Sequence, residues 1–254
     1  MSDVILRVEH LGIRFGALAA VKDVSFEALR GRITSVIGPN GAGKSTLFNL
    51  ISGAIRPSSG KIFFKGKDVT GSRPDQMVHA GLARSFQITN LFFELSVIEN
   101  LRLASQFLEG GHGLFRPVSA SHKATRRVEQ LLDQFALGAR ANELAGYLSH
   151  GEQRRLEIAT TLASCPRMLL LDEPTQGMSH ADTQETEALI LSLASESLSI
   201  LLVEHDVDLV MNISDHVVVM HQGQKLAEGN PLDVRANPAV QAAYFGEVRE
   251  GTHA

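Results

Sequence analysis

The stretch Gly38-Pro-Asn-Gly-Ala-Gly-Lys-Ser-Thr46 carries residue types at a spacing that can hold a chain of phosphates. It fits G-x-x-x-x-G-K-[ST], in which the backbone wraps an anion and aims successive N–H groups at it. Gly38, Gly41 and Gly43 give the loop the freedom to turn that tightly. Lys44 brings a point charge for the outer phosphates, and the Ser45 hydroxyl can ligand Mg²⁺. Pro39, Asn40, Ala42 and Thr46 complete the cradle. A glycine-rich turn that binds nothing is the plain alternative. Its surroundings argue against it. Ile33-Thr-Ser-Val-Ile37 reads as a short buried strand, and Leu47, Leu50 and Ile51 fall at helical spacing before Gly53. The loop is therefore expected at a helix N-terminus, where the macrodipole favours phosphate.

A second constellation follows far along the chain. Met168-Leu-Leu-Leu-Asp-Glu-Pro174 is an apolar run ending in two carboxylates. In α/β sheets ligands gather at the carboxyl ends of strands. There Asp172 can hold Mg²⁺ through its water shell, and Glu173 can polarise an attacking water. Two acids after a strand, taken alone, read as a solvated turn; an upstream phosphate loop turns them into a candidate hydrolytic site. Between the two lies Leu148-Ser-His-Gly-Glu-Gln153. Ser149 and Glu152 have the S-x-x-E spacing of a capping box ahead of Leu156, Ile158, Ala159 and Leu162. The free N–H groups at such a helix start can make a second anion site.

The elements that must position these groups are legible in outline. Val4-Ile-Leu-Arg-Val8, Val24-Ser-Phe-Glu-Ala28 and Gly60-Lys-Ile-Phe-Phe-Lys-Gly66 predict an antiparallel layer near the loop. From about Val97 to Leu162 the pattern turns helical, with Leu131, Leu132 and Phe135 on one face. A loop is expected inside it at Glu109-Gly-Gly-His-Gly113 and Arg116-Pro117. Met168-Leu-Leu-Leu171, Ile200-Leu-Leu-Val203 and Val217-Val-Val-Met220 are continuous apolar runs, as parallel strands covered on both faces require. His221-Gln-Gly223 predicts a hairpin into a strand around Lys225-Leu-Ala227. A short helix is expected after Pro238.

Composition narrows the classes. The 254 residues are 44% hydrophobic and 20% charged, enough for a large α/β core. A net charge of −4 gives no electrostatic reason to expect nucleic acid as a partner. The single cysteine excludes an internal disulfide and points to a reducing compartment. Cys165, beside Pro166 in an apolar region, is expected to be a small buried hydrophobe. The first residues lack a signal-peptide pattern, and no apolar run approaches the ~20 residues that span a bilayer.

Taken together, the 38–46 loop, the 148–153 motif and the 168–174 strand resemble the Walker A, signature and Walker B motifs of ATP-binding-cassette ATPases. The resemblance covers nearly the whole chain. It implies an α/β fold: a RecA-like P-loop NTPase core with an antiparallel β subdomain and an inserted α-helical subdomain. On that reading the chain is one domain. Residues 1–87 and 163–236 form the core with its β layer, 88–162 the helical subdomain, and 237–254 a C-terminal tail. The resemblance also assigns further residues. Phe15 in Arg14-Phe-Gly16 matches the aromatic that stacks on adenine. Gln87 in Ser85-Phe-Gln87 matches the glutamine near Mg²⁺ and the attacking water. His205 after Ile200-Leu-Leu-Val-Glu204 matches the histidine that contacts the γ-phosphate. Taken singly these would be a core aromatic, a loop glutamine and a structural histidine. In such a protein Ser149 and Gly151 serve the nucleotide of a second subunit. Two departures stand out: His150 replaces the first glycine of the signature pair, and Ser179 stands where many members carry an acid.

Finer similarity lies with the ATPase subunits of branched-chain amino acid importers. It is carried by Phe15-Gly-Ala-Leu-Ala-Ala-Val-Lys-Asp-Val-Ser-Phe26, Ala83-Arg-Ser-Phe-Gln87, Arg154-Arg-Leu-Glu-Ile-Ala159, Val203-Glu-His-Asp206 and the tail Asn237-Pro-Ala-Val-Gln-Ala-Ala-Tyr-Phe-Gly246. This implies ATP and Mg²⁺ as cofactors and a second ATPase subunit as partner. It also implies transmembrane permeases, a solute-binding protein acting indirectly, and a place on the cytoplasmic face of the cell membrane. Two other readings stay open: the ATPase of a lipid or lipopolysaccharide exporter, and a soluble cassette ATPase outside transport. The segment Ile88-Thr-Asn-Leu-Phe-Phe-Glu-Leu-Ser-Val97 is unusually apolar. Leu91, Phe92 and Phe93 belong either to the helical core or to a groove that receives a permease helix.

Overall fold

The computed structural model describes residues 3–85, 91–106 and 122–245. Strands β1 (Val4–Phe15) and β2 (Leu18–Leu29) form a long antiparallel hairpin. The sequence predicted only short segments, 4–8 and 24–28. The rest was hidden by bulges. His10 and Asp23 take left-handed φ values of 49° and 53°. The register slips between Val8 and Leu11 and again before Ile13. Such bulges break the period-two alternation by which a strand is read. Strand β4 (Ser59–Phe64) pairs with the other edge of β1, and β5 (Lys67–Asp68) completes a four-stranded sheet in the order β2-β1-β4-β5.

The second sheet holds the predicted apolar runs. It comprises β3 (Ile33–Ile37), β6 (Leu82–Arg84), β7 (Met168–Asp172), β8 (Ser199–Val203), β9 (His216–His221) and β10 (Gln224–Gly229). Their order is β10-β9-β3-β8-β7-β6. Every residue of β3, β7 and β8 is buried. These strands run parallel, as two-sided burial demands. Only β10 turns back, through Gln222 and Gly223, to pair antiparallel with β9. The three-residue β6 was too short to be read from pattern.

Helices cover both faces. They are α1 (Lys44–Ile51), α2 (Pro74–Ala80), α3 (Val97–Ser105), α4 (His122–Gln134), α5 (His150–Leu162), α6 (His180–Leu193), α7 (Val207–Ile213), α8 (Pro231–Ala236) and α9 (Pro238–Phe245). Alternate strand residues feed two separate cores. Leu170, Leu201, Val203 and Val218 face α1 and the antiparallel sheet, where Phe48 and Phe64 are fully buried. Leu169, Leu171, Ile200 and Leu202 face the other way and merge with Val97, Leu101, Leu131 and Phe135 from the helices between β6 and β7. Emptying one such position, as in Phe48→Ala, costs about 3–5 kcal/mol.

One expectation fails. Cys165 is exposed, in a left-handed turn with φ of 52° between α5 and β7. The apolar residues around it in sequence turn into the core while the turn itself stays at the surface. The loop expected at 109–117 lies outside the described residues. Among the described residues no helix is long and apolar enough to cross a membrane.

Candidate nucleotide site

The phosphate loop leaves the sheet at the end of β3 and enters α1 at Lys44. Two glycines are dictated by close approach. A Cβ on Gly38 would sit 2.1 Å from the Met220 carbonyl oxygen. One on Gly43, at φ of 99°, would sit 2.5 Å from that of Ala20. No side chain fits at either place. The loop is closed by hydrogen bonds from Ala42 N–H to Pro39 O (3.1 Å) and from Gly223 N–H to Ala42 O (3.0 Å). Lys44 bends back across it. Its Nζ donates to Gly38 O at 2.7 Å and Pro39 O at 3.2 Å. Burial pushes the ammonium below the usual lysine range, while the negative charges of Glu173, Asp172 and Glu204 pull it back up. Residues 40–46 line a pocket of about 510 Å³ together with Leu18, Lys22, Glu173 and Gly223.

Since β8 lies between β3 and β7, the same edge of the sheet gathers the second constellation. The Asp172 side chain is 2% exposed. Its Oδ2 accepts from Arg84 Nη2 at 2.7 Å, while Oδ1 is buried with no hydrogen-bond partner. A carboxylate oxygen orphaned beside a lysine-bearing phosphate loop fits a site for a divalent cation. Glu173 follows in a left-handed conformation, φ 45°, and its N–H donates to Val203 O at 2.9 Å. Glu204 is fully buried. Its Oε1 accepts from the Thr175 N–H (3.1 Å) and hydroxyl (2.7 Å), and its Oε2 from the His205 N–H (3.1 Å). One carboxylate thus pins the turn after Glu173 to His205, whose imidazole is half exposed.

Ser149 and Gly151 lie elsewhere. Ser149 caps α5: its Oγ accepts from Glu152 N–H at 3.3 Å, and Glu152 Oε2 accepts from Ser149 N–H at 2.9 Å. That backbone bond holds the Glu152 carboxyl below its usual range. Neither Ser149 nor Gly151 lines the pocket around Lys44. Helix α5 is nevertheless tied to the acidic turn, because Arg154 Nε donates to Pro174 O at 3.1 Å. Arg154 also pairs with Glu157 at 2.6 Å, and burial pushes the Glu157 carboxyl up. A Cβ on Gly151 would stand 3.1 Å from Asp182 Oδ1, at the start of α6 that Ser179 caps. Phe15 is exposed at the tip of the β1–β2 hairpin, opposite Leu18 of the pocket wall. Gln87 lies outside the described residues. Arg84, Glu204 and Arg154 were not singled out from sequence. Their only signal was a charged residue adjoining a recognised motif.

The apolar segment divides. Leu91 is buried, whereas Phe92 and Phe93 are 60% and 43% exposed. Phe92 forms one wall of an open groove of about 410 Å³ with Val78, Ala83, Arg84 and Leu103.

The arrangement can bind a polyphosphate, hold a divalent cation near Ser45 and Asp172, and set a carboxylate beside a water. Known proteins resemble the chain over nearly its whole length. Residues 21–176 match the ABC transporter family, and residues 224–250 match a branched-chain amino acid ATP-binding cassette transporter family. The chain is 41% identical to the high-affinity branched-chain amino acid transport ATP-binding protein BraF of Pseudomonas aeruginosa, across 97% of this chain and all of that one. It is 42% identical to the corresponding LivG protein of Escherichia coli, with the same coverage. Among solved structures it resembles a nucleotide-free ATP-binding cassette from an ABC transporter (TM-score 0.85, 32% identity, 96% of this chain and all of that one). It also resembles a cassette in its ADP conformation (TM-score 0.85, 33% identity, 97% and 100%).

Proposed function

The chain belongs to the ABC transporter family as an ATP-binding, ATP-hydrolysing subunit, and from that premise we propose that it powers uptake of branched-chain amino acids or a related small solute. The hydrolytic reading is carried by one observation: Lys44 and Glu173, from the ends of β3 and β7, line the same pocket. The cargo reading rests on likeness over 97% of the chain, including the segment 224–250.

In this reading residues 38–46 hold the phosphates of ATP, and Phe15 stacks on the adenine ring. Ser45, Asp172 and Gln87 hold Mg²⁺, which when bound neutralises phosphate charge. Glu173 takes the proton of the attacking water, and its backbone bond to Val203 O keeps it at the sheet edge. His205, fixed through Glu204, reaches the γ-phosphate. The exposed, capped start of α5 lies outside its own chain's pocket, which suits action in trans. Ser149 and Gly151 then meet the nucleotide of a second cassette subunit. The open groove beside Phe92 suits an apolar helix of a permease, which would hold the subunit on the cytoplasmic face of the cell membrane. A solute-binding protein would deliver cargo to those permeases without touching this chain.

Glu173→Gln tests the assignment. It keeps shape and loses the base, so turnover is expected to fall at least about 100-fold while ATP affinity holds. The variant should also accumulate as an ATP-bound dimer in size-exclusion chromatography with light scattering. Turnover near the parent value would remove Glu173 from the mechanism. Uptake of labelled leucine by vesicles containing the partner permeases tests the cargo reading.

A further inference from the structure

Arg84 makes a set of contacts that a surface cation would not. Its side chain is 12% exposed and that of Asp172 2%. Nη2 donates to Asp172 Oδ2 at 2.7 Å. Nη1 donates to Asn49 Oδ1 at 2.6 Å and to Ser52 Oγ at 2.9 Å. The guanidinium also lies over the Phe48 ring, 5.7 Å from its centroid. Phe48 and Asn49 belong to α1 and Ser52 ends it, and the same helix begins with Lys44 and Ser45. Arg84 thus joins the edge strand β6, the phosphate-binding helix and the carboxylate at the end of β7. Stability alone gives little reason for such a pair, since a buried ion pair is often no better than an apolar replacement.

We propose that Arg84 is a positioning residue for the metal site: by taking Oδ2 of Asp172 it fixes Oδ1 as the oxygen that serves the ion. The proposal rests on the reading of Asp172 as a metal-holding group. The geometry supports it from both sides. Oδ1 is the atom left buried without a hydrogen-bond partner. The anchors of Arg84 lie on the helix that carries Ser45, so both oxygen donors offered to the ion are referenced to one rigid frame. An eight-residue helix transmits that reference over only about 12 Å. The planar fork matters here, because one guanidinium nitrogen serves Asp172 and the other serves α1. An ammonium cannot hold both ends in that geometry.

Mg²⁺ demands near-octahedral geometry, whereas Ca²⁺ accepts loose coordination, so a slackened carboxylate should be felt by one ion more than the other. The test measures nucleotide binding by fluorescence in Mg²⁺, in Ca²⁺ and in EDTA. For Arg84→Ala the Mg²⁺-dependent nucleotide affinity is expected to fall about tenfold, as on loss of other outer-sphere metal partners, and the Ca²⁺-dependent affinity by less, so that the Mg²⁺-over-Ca²⁺ preference drops, with binding in EDTA unchanged. Asn49→Ala removes one anchor without leaving a charge unpaired. It should shift the preference the same way by a smaller factor, and it carries the test if Arg84→Ala does not fold. Arg84→Lys should restore the preference only in part. An unchanged preference in the folded variants, or full restoration by lysine, would overturn the proposal. Asp172→Asn separates the two readings. If it leaves the metal dependence intact, Asp172 is not the metal-holding group. If it abolishes that dependence while the Arg84 and Asn49 variants do not alter it, only the role of Arg84 fails.

Discussion

Lys44 is the residue on which the phosphate loop folds. With its Nζ on Gly38 O and Pro39 O, it closes the loop on itself, and a phosphate must compete for that ammonium. Lys44→Ala should weaken ATP binding by about 10- to 100-fold, the span of a charge-assisted hydrogen bond of 1.5–3 kcal/mol. Phe15→Ala should cost less, because stacking contributes only about 0.5–1.5 kcal/mol. Equilibrium dialysis with labelled ATP ranks the two, and an unchanged affinity in Lys44→Ala would refute the loop's assignment. The residues legible in the sequence were those that belong to a short local pattern: the glycines and Lys44 in the loop motif, and Asp172 and Glu173 at the end of an apolar run. Arg84 and Glu204 were illegible because each draws its meaning from a distant residue, Asp172 in one case and Thr175 in the other. Cys165 departs from its expectation because its apolar neighbours Leu162 and Ala163 turn into the core while the left-handed turn keeps Cys165 at the surface.

Helix α5 was visible from its cap. Ser149 and Glu152 form the reciprocal box that the S-x-x-E spacing predicts. Ser149→Ala should cost about 1 kcal/mol of stability, a fall of about 2–4 °C in melting temperature for a chain of this size. Since Ser149 does not line its own chain's pocket, ATP affinity of the isolated subunit should hold while turnover at high protein concentration drops. A matching loss of affinity in the monomer would place Ser149 in its own site instead. Strands β3, β7 and β8 were equally plain, because two-sided burial leaves an unbroken apolar run. The β1–β2 hairpin was half hidden by its bulges at His10 and Asp23. Helix α6 escaped notice because few of its residues, among them Thr186, Ile190 and Leu193, are buried.

Across the whole molecule, one sheet separates two cores, and the helices between β6 and β7 share theirs with the sheet. The exposed Phe92 belongs to neither core, so a charge there leaves packing intact. Phe92→Asp should keep far-UV circular dichroism and ATP binding, yet lose capture by permease subunits and the transport they support. A folded variant with intact capture would remove the groove as a docking surface. The backbone at Glu173 is held in the left-handed region. A non-glycine residue at φ 45° carries about 1–2 kcal/mol of strain, and asparagine tolerates that conformation better. Glu173→Asn eases that strain and gives up the attraction to Lys44, so it should melt no lower than the parent while losing turnover, measurable by differential scanning calorimetry. Laboratory evolution of this chain for heat resistance alone would drift away from glutamate here. Heat-hardened variants should then be enriched in inactive proteins unless transport is selected alongside.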